Sequence, residues 1–208
     1  TRRRAADAVV LAVPPRLADQ SIIFSPPPDD RIIQAWRNTS TWMASHSKIL
    51  FIYDRAFWRD QGLSGEVFSR CGPLTEIYDG SPADESCFAL TAFSGLDSRQ
   101  RQQLGRDNLV EASLSQLERL FGTASRDTRA IRIMDWAQES CTTAVLDLER
   151  SPQHPQYPPG LPRSLWGGRL LLAGSETARE QGGYLEGALE SADECVGMLV
   201  RLRGSSAQ

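Results

Sequence analysis

The sequence predicts a mixed α/β (α+β) fold, and three features carry that prediction. Apolar runs of strand length occur at residues 8–13, 48–53 and 169–173. Apolar residues recur at helical spacing over 108–121 and 184–200. The two patterns alternate along the chain, which is the order expected of strands interleaved with helices.

Taken in order, residues 8–13, Ala-Val-Val-Leu-Ala-Val, form a continuous run stopped by Pro14-Pro15. Such a run reads as a strand buried on both faces, because proline cannot continue a ladder. Its partner strands must come from later in the chain or from another polypeptide. Residues 21–30 read as a loop through Pro26-Pro27-Pro28, and an Asp at 29–30 suits the N-cap of a helix starting near Arg31. Residues 48–53, Lys-Ile-Leu-Phe-Ile-Tyr, predict a strand, with shorter ones near 74–78 and 87–93 flanking the turn cluster Asp-Gly-Ser-Pro at 79–82. Val110, Leu114, Leu117, Leu120 and Phe121 predict an amphipathic helix over 108–121, followed by a strand at 130–134. The stretch 151–163 holds five of the twelve prolines and reads as a linker or as an ordered extended segment. Residues 169–173 then form a buried strand ending at Gly174. After Gly182-Gly183 a helix follows, with Leu185, Ala188, Leu189, Ala192, Val196 and Val200 at its spacing.

Composition bounds the partners. The 208 residues are 40% hydrophobic and 24% charged, with a net charge of −3. That balance argues against nucleic acid or an anionic membrane as a main partner, and Arg2-Arg3-Arg4 is too short to act as a basic footprint. No apolar run approaches the roughly 20 residues that span a bilayer. With no signal peptide in view, a cytoplasmic location is expected, although a lost leader would leave the same trace. The four cysteines lack a CxxC pair and only His46 and His154 accompany them, so a zinc site is not expected. Reduced, mostly buried cysteines are the expectation.

The most informative segment is the strand-turn-helix from Gly168 to Leu189, reading Gly-Arg-Leu-Leu-Leu-Ala-Gly-Ser-Glu-Thr-Ala and then Gly182-Gly183-Tyr184-Leu185-Glu186-Gly187. A strand that ends in glycine lets a ligand approach the backbone. Two glycines before a helix do the same, where unpaired N–H groups and a partial positive charge favour an anion. A flexible helix start with no ligand explains the pattern equally well on physics alone.

This segment resembles the C-terminal FAD-binding signature of the flavin monoamine oxidase family. The resemblance extends in order through Ala8–Arg16, Lys48–Trp58, Gly62-Leu63-Ser64-Gly65, Gly72-Pro73, Tyr78-Asp79, Phe121-Gly122, Asp135-Trp136 and Trp166-Gly167-Gly168-Arg169. It implies an FAD-dependent oxidation of an amine to imine and aldehyde, with O2 reduced to hydrogen peroxide. Residues 1–14 and 136–208 would belong to a Rossmann-like FAD-binding domain. Residues 15–135 would form a substrate-binding domain with a mixed sheet flanked by helices. The N-terminal GxGxxG unit that holds the pyrophosphate in this family is absent. The chain therefore reads as a C-terminal half, whether fragment, split-gene product or processed subunit. Its partners would be the missing N-terminal half, a small amine, O2 and, as an option, a second copy. An L-amino-acid or polyamine oxidase branch, or an inactive remnant unable to hold FAD, are the alternatives. An amino-acid substrate would need a cation for its carboxylate, with Arg37, Arg55 and Arg59 as candidates by type.

The resemblance also assigns residues. Lys48 would hold a water against flavin N5; otherwise it is a surface lysine beside a strand. Trp136 would pack at the isoalloxazine edge, or in a core. Tyr184 would be one of two aromatic rings flanking the substrate amine. Gly174, Ser175 and Glu176 would face the ribityl-phosphate region, and Gly183, Tyr184 and Leu185 would place the helix N-terminus at flavin N1 and O2. A count without gaps from Trp136 puts the second ring near Leu146, and puts Val145 where animal members carry the flavin-linking cysteine. Cys141 is the nearest cysteine, so the FAD is expected to be non-covalent. His154, alone in the proline-rich stretch, reads as structural or solvent-exposed.

Overall fold

A computed structural model of the chain describes residues 3–148, 154–155, 157 and 161–205. It carries two sheets and six α-helices among these residues, in two compact units: 1–44 with 140–208, and 45–139. Most of the proline-rich stretch 151–163 lies outside the described residues.

In the first unit, β1 (Val9–Leu11) runs parallel to β8 (Leu170–Leu172), and β7 (Ser164–Leu165) pairs with β8 from the other side, antiparallel. The register sets Val9 opposite Leu170 and Leu11 opposite Leu172. β8 is buried along its length, as its apolar run requires. β1 is not the doubly buried strand expected from residues 8–13. It has three residues, pairs only with β8 among the described strands, and leaves Val9 51% and Val10 44% exposed. An apolar run is buried only as far as neighbours cover it, and here one edge and part of its surface have none.

Two helices follow. The prolines that stop β1 also begin α1 (Pro15–Ser21), because proline's fixed φ suits the first helical turn and its missing N–H has no partner to lose there. In α2 (Asp30–Asn38), Asp29 is the N-cap and accepts the Arg31 N–H at 2.8 Å. Ala18 of α1 and Trp36 of α2 bury against Leu165, Leu170 and Leu172. Residues 15–44 consequently pack in this unit, so the compact units divide at 44/45 and 139/140 rather than at the expected 14/15 and 135/136.

The last helix, α6 (Leu185–Ser205), packs on the unit with its small residues. Gly187, Ser191 and Cys195 face inward, while Leu185, Leu189, Val196 and Val200 lie outward and exposed. A side chain at Gly187 would drive its β-carbon into the Gln181 carbonyl, so this close approach requires glycine. The helix is amphipathic as expected, but its apolar stripe faces away from its own unit.

The second unit is a five-stranded sheet in the order β3-β4-β5-β2-β6, antiparallel at every described pairing. Its strands are β2 (Ser47–Tyr53), β3 (Val67–Phe68), β4 (Leu74–Asp79), β5 (Phe88–Ser94) and β6 (Ala130–Asp135). The short helix α3 (Phe57–Asp60) follows β2. Helix α5 (Arg106–Phe121) covers one face, with Leu109, Leu117 and Phe121 meeting Ile49, Phe51 and Leu90. Buried Gln116 replaces a missing ladder: its Oε1 accepts the Leu74 N–H at 2.9 Å and its Nε2 donates to the Leu74 carbonyl at 2.8 Å. Helix α4 (Ser98–Leu104) has no apolar periodicity. A capping box starts it, in which Asp97 accepts the Gln100 N–H at 2.7 Å and the Gln100 side chain accepts the Asp97 N–H at 3.0 Å.

Candidate functional site

The strand-turn-helix of the first unit is built by local hydrogen bonds. After β8 the Ala173 N–H still donates to Leu11, at 3.0 Å, and a 3-10 turn over Ser175–Thr177 follows Gly174. The Thr177 hydroxyl donates to the Gly174 carbonyl at 2.7 Å and lies 3.0 Å from the Ser191 hydroxyl, tying the turn to α6. Glu190 of α6 reaches back to accept the Arg179 N–H at 2.7 Å. The Gly183 N–H donates to Ser175 at 3.3 Å, which folds the two glycines onto the turn and aims the start of α6 at the same space. Gly183 holds φ +82°, a conformation that favours glycine.

Glu176 is buried in this turn, with the Ser175 hydroxyl 3.3 Å from its Oε2. Burial pushes its carboxyl above the usual range, opposed by hydrogen bonds from its own backbone N–H and from Ser175. A β-carbon at Gly174 would lie 2.8 Å from Glu176 Oε2, so glycine is what lets the carboxyl fold in here.

Tyr184 stands at the start of α6, 46% exposed, on the wall of a cavity of about 1000 Å³ that His154, Tyr157, Arg163 and Glu176 also line. Leu185, the next residue, is 88% exposed. The His154 ring stacks on Tyr184 with centroids 4.8 Å apart and planes 19° from parallel. Trp42 meets both rings edge-on, at 4.4 Å from His154 and 4.9 Å from Tyr184. Tyr157 lies over the glycine pair, and burial pushes its phenol above the ordinary value.

Of the two readings the sequence offered for His154, structural or solvent-exposed, the ring packing fits the first, with the side chain half-buried. It is the aromatic partner of Tyr184. Val145 and Leu146, where the gapless count placed the linking residue and the second ring, sit in a separate 3-10 turn over Val145–Asp147.

Lys48 and Trp136 lie in the second unit. Ser47, Ile49, Phe51 and Tyr53 point into the core, so Lys48 falls on the opposite face of β2 and is exposed. Its Nζ sits 4.9 Å over the Phe93 ring centroid, and its cross-strand neighbours are Phe93 and Met134. Trp136 begins a 3-10 turn at the end of β6, half-buried, with its N–H donating to the His46 carbonyl at 3.1 Å. Arg101 fixes that corner by a two-pronged ion pair with Asp135, at 3.0 and 2.5 Å. The arginines considered for a carboxylate substrate are engaged by their own acids: Arg37 by Asp19 at 2.7 Å, Arg59 by Asp79 at 2.7 Å and Arg55 by Asp60 at 3.6 Å.

Among the described residues no cluster of His, Cys, Asp and Glu could hold a metal, and no helix is long and apolar enough to cross a membrane. The cysteines are free, but not mostly buried: Cys71 and Cys141 are exposed, Cys87 is intermediate and Cys195 alone is buried.

Comparison with known proteins places this geometry. A family model described as flavin containing amine oxidoreductase matches residues 1–197. The chain is 30% identical over 194 residues to a probable flavin-containing monoamine oxidase A of Dictyostelium discoideum, covering 88% of this chain and 40% of the relative. It is 24% identical to an L-amino acid dehydrogenase of Synechocystis, covering 93% of this chain and 40% of that protein. Among solved structures, a triple mutant of putrescine oxidase superposes with a TM-score of 0.75 at 26% identity, over 94% of this chain and 43% of that one. Cyclohexylamine oxidase from Brevibacterium oxydans shares the fold, with a TM-score of 0.71 at 20% identity and the same coverage. The chain thus spans about 40% of the length of the curated relatives it matches. It belongs to the family of flavin-containing amine oxidoreductases.

Proposed function

We propose that this chain is the C-terminal portion of an FAD-dependent amine oxidase that converts a neutral amine to an imine, with O2 reduced to hydrogen peroxide. One observation carries the reading: Tyr184, Glu176 and the start of α6 converge on one cavity, behind a turn that glycine at 174 and 183 allows to fold so closely. These residues fit a flavin. The helix start offers unpaired N–H groups for a carbonyl that gains negative charge, Gly174 and Gly183 allow close approach, and Ser175 and Glu176 supply polar contacts. FAD when bound supplies the hydride acceptor and the reaction with O2.

The chain's own residues do the rest. Tyr184 aligns the substrate nitrogen with its ring face. By the family resemblance, Lys48 would hold a water for the cofactor's reacting edge and Trp136 would pack beside its ring system. A non-covalent FAD fits the cavity before Tyr184, whose described lining holds no cysteine. The exposed edge of β1 and the outward apolar stripe of α6 support a further polypeptide, the half with the pyrophosphate-binding glycine loop, that covers both.

An L-amino acid substrate is the rival reading, favoured by the Synechocystis relative. The engagement of Arg37, Arg55 and Arg59 by internal acids weighs against it. The test is to purify the 208-residue chain and the full-length protein side by side. The full-length protein should carry FAD at close to one per chain and release peroxide with primary amines, while the 208-residue chain carries little or none. Amine-independent peroxide, or release with amino acids alone, would contradict the reading.

A further inference from the structure

We propose that His154 is a specificity-determining residue of the amine site, and that its Nε2 accepts an N–H of a primary or secondary amine. The proposal rests on the reading that the cavity before Tyr184 receives the amine.

Three observations combine. The imidazole is held from two sides, stacked on Tyr184 at 4.8 Å and edge-on to Trp42 at 4.4 Å, so ring packing orients it. Its Nε2 is buried and has no hydrogen-bond partner among the described residues. A β-carbon at Gly183 would come within 3.4 Å of that nitrogen, which places Nε2 against the glycine ahead of α6, and the ring lines the same cavity as Tyr184 and Glu176. A buried polar atom without a partner is costly, so a site that keeps one oriented by two rings is built for a partner that arrives with a ligand.

The chemistry of that partner follows from the atom. With its proton on Nδ1, imidazole presents Nε2 as an acceptor. A neutral primary or secondary amine offers an N–H, and Tyr184 stacked beside the imidazole offers a ring face to the same nitrogen. A neutral tertiary amine has no N–H to give and would leave Nε2 buried and unpaired. Sites built to take a substrate N–H reject analogues that lack it far more strongly than apolar pockets reject a missing methylene. His154 therefore separates amines by substitution at nitrogen.

The experiment compares benzylamine with N,N-dimethylbenzylamine in the full-length, FAD-loaded protein, as wild type, His154→Phe and His154→Gln. Phe keeps the stack and removes the nitrogen; Gln restores a hydrogen-bonding atom. The expected result is a wild-type preference for benzylamine that falls by about ten-fold or more in His154→Phe, mainly through KM, with FAD content unchanged and partial recovery in His154→Gln. A wild-type preference ratio retained by His154→Phe, or one lost only together with FAD, overturns the inference. Turnover of no amine by the wild type would sink the oxidase reading instead. Quenching of tryptophan fluorescence by benzylamine, to which Trp42 contributes, then decides: quenching abolished by His154→Phe upholds the inference, and quenching absent or unchanged overturns it.

Discussion

Arg16 and Asp147 form an ion pair at 2.7 Å with side chains only 2% and 1% exposed. Asp147 also accepts the Thr41 N–H at 2.9 Å and the Ala144 N–H at 3.2 Å, and Arg16 donates to the Arg37 carbonyl at 2.7 Å. The pair joins α1, the segment after α2 and the 145–147 turn, on the chain path that leads to Trp42. Removing one partner strands the other charge in the interior. Asp147→Ala is expected to cost about 3–5 kcal/mol in chemical denaturation. Arg16→Met with Asp147→Leu should cost less than either single change, because no charge is left buried alone; equal or additive costs would show the pair to be solvated.

Gln116 makes a comparable prediction for the second unit. It satisfies both backbone groups of Leu74 at the β-bulge, where β4 leaves its regular register with β5. Gln116→Leu keeps most of the volume and orphans a donor and an acceptor. A loss of about 2–4 kcal/mol is expected, summing two unsatisfied buried groups. A change within about 0.5 kcal/mol, the range of ordinary surface substitutions, would mean that water replaces the side chain.

Glu176 gives a pH dependence with a definite sign. Burial holds its carboxyl above its ordinary value of 4.5, so the folded chain binds the proton more tightly than the unfolded one. Its stabilising contribution is present at acid pH and is lost as pH rises from about 4.5 through the raised value. Glu176→Gln should remove that dependence and raise the Tm of the ligand-free chain near neutral pH. A wild-type Tm profile matched by Glu176→Gln across acid to neutral pH would show the carboxyl to be solvated.

Much of this was legible in the sequence, for identifiable reasons. β2, β4, β5, β8 and α5 follow from apolar periodicity, because each has at least one face that its neighbours bury; α6 shows the same periodicity although its apolar stripe is the exposed one. The cap at Asp29 followed from residue type. α4 was not legible, since its stability comes from the Asp97–Gln100 capping box and not from an apolar stripe. α1 was hidden because Pro14-Pro15 reads as a stop for β1, while Pro15 also suits a helix start. The exposure of Val9 and Val10 could not be read, since burial depends on partners that the run itself does not specify. At the site, the glycines before α6 were legible from their pattern, and Tyr184 was singled out by the family resemblance. The place of His154 was missed because a count without gaps cannot see that its ring stacks on Tyr184 beside Trp42.

Lys48 carries the sharpest single-residue prediction about turnover. It is exposed on the face of the sheet opposite the core, with Nζ over Phe93, and met by no carboxylate at salt-bridge distance among the described residues. Lys48→Met keeps the stem's volume and removes the charge. In the full-length protein FAD should remain bound while kcat and kcat/KM fall together by about ten-fold, or roughly 1.4 kcal/mol. Stopped-flow measurement of both half-reactions checks this; wild-type rates in both would leave Lys48 as a strand-flanking surface residue.

On the proposed reading, the cavity before Tyr184 belongs to an enzyme that takes hydride from amines. Anaerobic addition of benzylamine to the FAD-loaded, full-length protein tests it most directly, by following the visible absorbance of the oxidised flavin together with benzaldehyde formed after quenching. The expected result is full loss of that absorbance with one benzaldehyde per flavin, slowed in Tyr184→Ala while FAD stays bound. An oxidised spectrum that persists with benzylamine and with aliphatic primary amines, in protein that holds its FAD, would contradict the claim.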